Sequence, residues 1–256
     1  MGGFVSGPFI RKVRETKKLK QSWIVLAFDP ILSPLRFPQQ ERETKRKEVL
    51  EHVRGLLSKI GQYIAGVKIG VPALLSLGID RVAEVIDEWK NSLFFICDAK
   101  TADIGYINRI IGEIVYDAGF DGIIAHAAVG AEDGLRPVVS LAEERGRGVL
   151  GLCAMSHSGA GEHLNRYADE LLQIAARAGV DGFVLPASRP DMIEKAKKEF
   201  PDRLVFSPGV GAQGIPFGSA VRAGADFEIV GRSITGAEVP EEAVKKILGA
   251  CGDVAG

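Results

Sequence analysis

"AGFDGIIAH" (118–126), "AGVDGFVLP" (178–186) and "AGADFEIVG" (223–231) are three versions of one junction. Each closes a helix-length stretch with Ala-Gly and then enters an apolar run. A glycine there suits the left-handed position at a helix C-terminus. Working outward from these junctions, eight apolar runs read as buried strands: "WIVLAF" (23–28), "IAGVKIG" (64–70), "LFFICDAK" (93–100), "GIIAHA" (122–127), "GVLGLCAM" (148–155), "GFVLPA" (182–187), "RLVFSPG" (203–209) and "FEIVGR" (227–232). Amphipathic or alanine-rich stretches such as "RVAEVIDEWK" (81–90) and "ADELLQIAARAG" (168–179) separate them. Alternation of this kind predicts parallel βαβ units. The count and the repeated junction favour a closed (β/α)8 barrel of the TIM type, with an open doubly wound sheet as the alternative.

No linker or composition shift divides residues 22–256, which read as one domain. Residues 1–21 carry "RKVRETKKLKQ" and read as a basic N-terminal extension, holding at most a short helix whose charges face solvent. The 32 basic and 33 acidic residues leave a net charge of −1, so no global field attracts nucleic acid or an anionic membrane. No apolar segment is long enough for a signal peptide or a membrane span. Cys97, Cys153 and Cys251 lack metal-ligand spacing and read as buried thiols, which points to a cytoplasmic setting.

In a parallel barrel the chemistry collects where the strands end. Asp29 follows the first run, Lys68 lies late in the second, and Asp98 and Lys100 end the third, with Asp103 just beyond. Strand alternation puts Asp98 and Lys100 on one face, toward the barrel mouth. A structural salt bridge is the plain alternative, but burying charges costs several kcal/mol per ion before pairing offsets it. An alternating array of carboxylates and ammonium groups instead holds a lysine protonated as a general acid. The second cluster is "SPGVGAQG" (207–214), with Arg232 after the eighth run: glycine-rich backbone plus a bidentate donor is a phosphate site. The third is "MSHSGAG" (155–161), whose Ser156 is able to bond the amide-like edge of a ligand. His126 reads as a packed strand-end residue, and His52 and His163 as surface residues. Nothing at metal-ligand spacing accompanies His157.

Taken in order, "LAFDP", "VKIG", "CDAKTADIG", "MSH", "SPGVGAQG" and "VGRSI" resemble the orotidine 5'-monophosphate decarboxylase family in its compact, archaeal-like form, over nearly the whole barrel. The resemblance implies decarboxylation of orotidylate to uridylate, the last step of UMP biosynthesis, with no cofactor and no metal. By the same resemblance Lys100 protonates C6 of the pyrimidine, Asp98 faces the substrate carboxylate, and Lys68 links Asp98 to the ribose. Asp29 binds a ribose hydroxyl and Ser156 the pyrimidine edge. Gln213 bridges base and phosphate, Pro208, Gly209, Val210 and Gly211 line the phosphate end, and Gly231 and Arg232 grip the phosphate. Asp103 reaches the array of a partner subunit in a homodimer. Two positions depart from the family pattern: Ile107 stands where a threonine that joins the neighbouring ribose site is common, and Ser158 where a proline is frequent. The nearest alternative is a hexulose-phosphate synthase or ketogulonate-phosphate decarboxylase, which needs a divalent metal for an enediolate. Lys68 disfavours it by repelling a cation.

Overall fold

The eight apolar runs pair in chain order, each strand parallel to its neighbours, and the last returns to the first in a closed barrel. The computed structural model describes residues 7–30, 32–211 and 214–251. The strands are β1 (Ile24–Phe28), β2 (Gly66–Gly70), β3 (Phe94–Thr101), β4 (Gly122–His126), β5 (Gly148–Leu152), β6 (Gly182–Val184), β7 (Leu204–Pro208) and β8 (Phe227–Val230). Helices cross between them on the outside, from Gln39–Ile60 after β1 to Pro240–Gly249 after β8. Alternation along each strand divides the core in two. Val25, Ile96, Ile124, Leu150, Phe206 and Ile229 pack inside the barrel, and Leu26, Phe95, Ile123, Val149, Val205 and Val230 face the helices.

A barrel open at its N-terminal end would leave the inner cluster wet, and the chain closes it with the segment expected as a solvated basic extension. Pro8–Lys20 is a helix whose Phe9, Ile10 and Val13 are buried in that cluster. The signal was present as apolar residues at i, i+1 and i+4, but the lysines and arginines around them dominate the composition. Several of these charges are also used at the floor: Lys12 pairs with buried Asp121 at 2.8 Å, and Lys20 donates to the Gly61 carbonyl at 2.9 Å. Glycines at the strand starts make room for the floor. A Cβ on Gly148 would lie 2.1 Å from the Phe9 ring, and one on Gly66 2.3 Å from Phe94. Phe94, Phe206 and Phe227 complete the layer, with the last two rings stacked at 4.8 Å.

The repeated junction has a further role that its glycines do not reveal. The aspartate two residues after each glycine exchanges hydrogen bonds with the second residue of the preceding strand. Phe95, Val149 and Val205 donate their N–H groups to the carboxylates of Asp121, Asp181 and Asp226 at 2.9, 2.9 and 2.8 Å. Their carbonyls accept from the same three aspartates' N–H groups. Each junction thereby ties an even strand to the odd strand before it.

Burial raises the Asp181 carboxyl to about 6. Because the folded value lies above the unfolded one, stability falls as pH rises from about 4 through 6, when the buried group must ionise. Asp181→Asn keeps an acceptor for Val149 and removes the charge. It is expected to stabilise the chain by about 1–2 kcal/mol at pH 7.5, after allowance for solvent screening, and by nothing below pH 4. Thermal unfolding of parent and variant between those limits checks this, and a gap that persists in acid refutes it.

Candidate active site

Neighbouring strands bring the charges together at the barrel mouth. Register sets Lys68 beside Ala27 on one side and Ile96 on the other, with Gly70 opposite Asp98. The Lys68 Nζ donates to Asp29 Oδ2 at 3.0 Å and to Asp98 Oδ2 at 2.9 Å, and the Lys100 Nζ donates to Asp98 Oδ1 at 2.7 Å. Asp29, Lys68, Asp98 and Lys100 thus form one unbroken chain of alternating charge. Gly70 permits it, since a Cβ there would lie 2.1 Å from Asp29 Oδ1. Burial opposes charge on both central groups, yet pairing prevails. The Lys68 ammonium stays above the ordinary lysine value despite its burial, because Asp98 and Asp29 hold its proton. The Asp98 carboxyl, which burial pushes up, is held below the ordinary carboxylate range by Lys68 and Lys100.

Asp98 and Lys100 do share the mouth, but simple alternation is not how they reach it. The β3–β4 pairing shifts register between Cys97 and Thr101, and Lys100 has φ +45°, in the left-handed region. A lysine there costs on the order of 1 kcal/mol or more, and such strain persists only where the surroundings hold it. The bond to Asp98 and the flanking strand pairs hold it here. His126, as expected, is a strand-end residue; its Nδ1 accepts from the Ala128 N–H at 3.4 Å, and burial and then Lys100 keep its imidazole below the ordinary value.

Asp103 stands apart from this array within one chain. It is exposed, its carboxylate accepts from the Ile104 N–H at 2.7 Å, and buried Asn108 accepts from its N–H and donates to its carbonyl. Ile107, at the departure from the family pattern, is partly buried in the helix Gly105–Asp117.

Across the mouth lies the glycine-rich loop. Gly209 and Gly211 take φ of +103° and +68°, and a Cβ on Gly211 would meet the Phe217 ring at 2.5 Å. The loop folds back on itself: Gly211 donates its N–H to the Ile215 carbonyl at 2.8 Å, and Val210 bridges Ile215. Gln213 lies outside the described residues. Gly231 and Arg232 follow β8, where Arg232 begins the short helix Arg232–Thr235.

A cavity of about 500 Å³ joins the two ends. Asp29, Lys68, Asp98 and Lys100 line one side, Pro208, Gly209, Val210, Gly231 and Arg232 another, and Ser156 a third; Gly211 is not among its lining residues. Its base is apolar, from Ile124, Leu152, Val184 and Ile229. Two contributors escaped the sequence reading. Thr235, which also lines the cavity, carries no local signal. Asn165 locks the loop that presents Ser156: Met155 donates its N–H to Asn165 Oδ1 at 3.0 Å, and Asn165 Nδ2 donates to the Met155 carbonyl at 2.9 Å. Only folding of 155–165 makes that pair visible. Among the described residues no group of three or more His, Cys, Asp or Glu converges as a metal site.

A closed parallel barrel with this mouth is an enzyme scaffold for a small, polar ligand. A model of the "orotidine 5'-phosphate decarboxylase / HUMPS family" matches residues 25–247. Orotidine 5'-phosphate decarboxylase of Methanosarcina mazei is 38% identical over 205 residues, covering 80% of this chain and 89% of the relative. The enzyme of the same name from Aeropyrum pernix is 39% identical over 184 residues, covering 72% and 75%. Among solved structures, orotidine 5'-monophosphate decarboxylase of Methanocaldococcus jannaschii, complexed with inhibitor BMP, superposes with a TM-score of 0.76 at 30% identity, covering 90% of this chain and 99% of that one. The Sulfolobus solfataricus enzyme gives 0.75 at 29% identity, covering 91% and 98%. The chain therefore belongs to the orotidine 5'-phosphate decarboxylase / HUMPS family.

Asn165→Ala is expected to remove both bonds to Met155, cost about 1–2 kcal/mol and speed amide exchange at Met155 at least about tenfold. Hydrogen exchange read residue by residue tests this; unchanged protection at Met155 would show that the loop is held by other contacts.

Proposed function

We propose that the chain decarboxylates orotidine 5'-monophosphate to uridine 5'-monophosphate and carbon dioxide, the last step of UMP biosynthesis, without metal or cofactor. The observation that carries this is the ammonium of Lys68 placed between Asp29 and Asp98, at 3.0 and 2.9 Å. A divalent ion between those carboxylates would have to displace a buried cation, which disfavours the metal-dependent chemistry also found under the family's joint name.

Loss of carbon dioxide leaves an electron pair at C6 of the pyrimidine, with no cofactor to delocalise it. Stabilisation must then come from charge already in place. The Lys100 ammonium supplies it and transfers a proton to C6 as the C–C bond breaks, becoming a neutral amine that regains its proton from water. Asp98 faces the departing carboxylate and orients Lys100 through its 2.7 Å bond. Lys68 keeps Asp98 ionised and reaches the ribose, where Asp29 accepts from a hydroxyl. Ser156 meets the pyrimidine edge over the apolar base of the cavity. Backbone from Pro208 to Val210, with Gly231 and Arg232, holds the phosphate and Gln213 bridges it to the base, so that phosphate binding energy positions the reacting end. Asp103, exposed and outside its own chain's array, fits a role across the interface of a homodimer. The relative from Methanocaldococcus jannaschii is complexed with inhibitor BMP, which supports a small-molecule ligand for this chain as well. A metabolic enzyme of this kind fits the cytoplasm; among the described residues no helix is long and apolar enough to cross a membrane.

Purified protein is expected to consume orotidylate in excess chelator, seen as loss of substrate absorbance, and Lys100→Ala to slow turnover at least about 10²-fold. Binding without consumption by the parent chain would overturn the assignment. The pH profile offers a second check. Asp98, held low, loses its charge only below the ordinary carboxylate range, and Lys68, held high, only above the ordinary lysine range. Neither contributes a limb to kcat between about pH 6 and 9, whereas kcat/KM falls near pH 6 as the substrate phosphate dianion takes up a proton to become the monoanion. A kcat limb near neutrality that disappears in Asp98→Asn would contradict this.

A further inference from the structure

Glu228 is fully buried and takes no part in the chemistry above. It sits at the start of β8, between Ser207 of β7 and Ile24 of β1 in register, and its side chain points outward toward the helix layer. One carboxylate oxygen accepts from the Gly218 N–H and the other from the Ala220 N–H, both at 2.9 Å. Among the described residues it forms no salt bridge. Burial raises its carboxyl above the ordinary value, opposed by those N–H groups, that of Val221 and the charge of Arg222.

Stability alone does not call for a carboxylate here. Burying one costs several kcal/mol, and an apolar side chain would fill the same seam. Part of its role is to cap the helix Ser219–Arg222, which Ser, Asp or Asn at position 218 would ordinarily do. That position is Gly218 at φ +80°, where a Cβ would meet Cys251 Sγ at 2.4 Å, so the acceptor comes from ten residues further along the chain.

What Glu228 joins is informative. The glycine-rich loop begins at Pro208, which pairs with Ile229 of β8, and ends at Gly218, which is bound by Glu228 of the same strand. Three residues beyond Glu228 that strand delivers Gly231 and then Arg232. We infer that Glu228 is a positioning residue for phosphate recognition: it fastens the far end of the Pro208–Gly218 loop to the strand that carries Gly231 and Arg232, so that both halves of the phosphate site keep one spacing. The inference rests on the phosphate reading given above. Preorganised donors bind without the cost of ordering them first, and loosening one half weakens whatever spans both. A ligand without a phosphate does not span them.

The test compares the parent with Glu228→Gln, which places an amide NH2 against one of the two donors, and Glu228→Asp, which keeps the charge but is too short for both. Dissociation constants for UMP and for uridine are measured by NMR titration, and kcat and KM for orotidylate by absorbance, at a temperature where thermal unfolding shows all three folded. Glu228→Gln is expected to raise the UMP dissociation constant and the KM at least about tenfold, with the uridine constant within twofold and kcat within threefold. Glu228→Asp should fall between. Equal weakening of UMP and uridine would reduce Glu228 to general support of the fold. Unchanged KM in a folded, active variant would remove the positioning role. A parent that binds UMP no more tightly than uridine would overturn the phosphate reading, and this inference with it.

Discussion

The carboxylate of Asp98, shared between the ammonium groups of Lys68 and Lys100, is the contact on which the barrel mouth depends. Neither buried member, Lys68 or Asp98, is tenable as an ion without its partners. Burial alone would drive the proton off a lysine on β2 that had neither Asp98 nor Asp29 beside it, and would put one on an aspartate that had no lysines. The shared carboxylate also holds Lys100 in a backbone conformation that a lysine rarely adopts. Electrostatics and backbone geometry are therefore one problem at this site, solved by a single side chain.

Such strain needs a rigid frame, and the opposite end of the barrel supplies it. β3 is fastened near its start, where Phe95 exchanges hydrogen bonds with Asp121, and it leaves regular pairing only beyond Cys97. Below, Phe9, Phe94, Phe206 and Phe227 seal the floor under the helix Pro8–Lys20. The same division recurs around the ring, because the aspartate junctions lie at the strand starts and the reactive residues at the strand ends. Loops at the mouth are anchored by longer reaches, Asn165 to Met155 and Glu228 to Gly218, so that functional backbone sits on loops while its position is set by rigid elements.

The eight strands were legible because apolar runs of six to eight residues, separated by amphipathic stretches, leave few arrangements open, and the three Ala-Gly junctions favoured a closed barrel over an open sheet, a choice that strand pairing made. Asp29, Lys68, Asp98, Lys100 and the 207–211 loop were legible for a related reason: polar groups that interrupt a buried strand end are conspicuous in a linear pattern. The helix on the floor was misread because six lysines and arginines in residues 8–21 hide three apolar residues whose purpose appears only once there is an open barrel end to cover. The aspartates of the junctions were in plain view, yet their bonds to the preceding strand were not.

By itself, then, the sequence determined the order and number of strands, the kinds of charge at the mouth and the glycine-rich character of the loop opposite, since each of these depends on residues close together in the chain. Tertiary structure alone decided the left-handed turn of Lys100, the exposure of Asp103 outside its own chain's array, and the anchoring roles of Asn165 and Glu228. Those depend on strand register and on contacts between separate segments, and hydrogen-bond partners brought together by folding leave no periodicity in the residues between them.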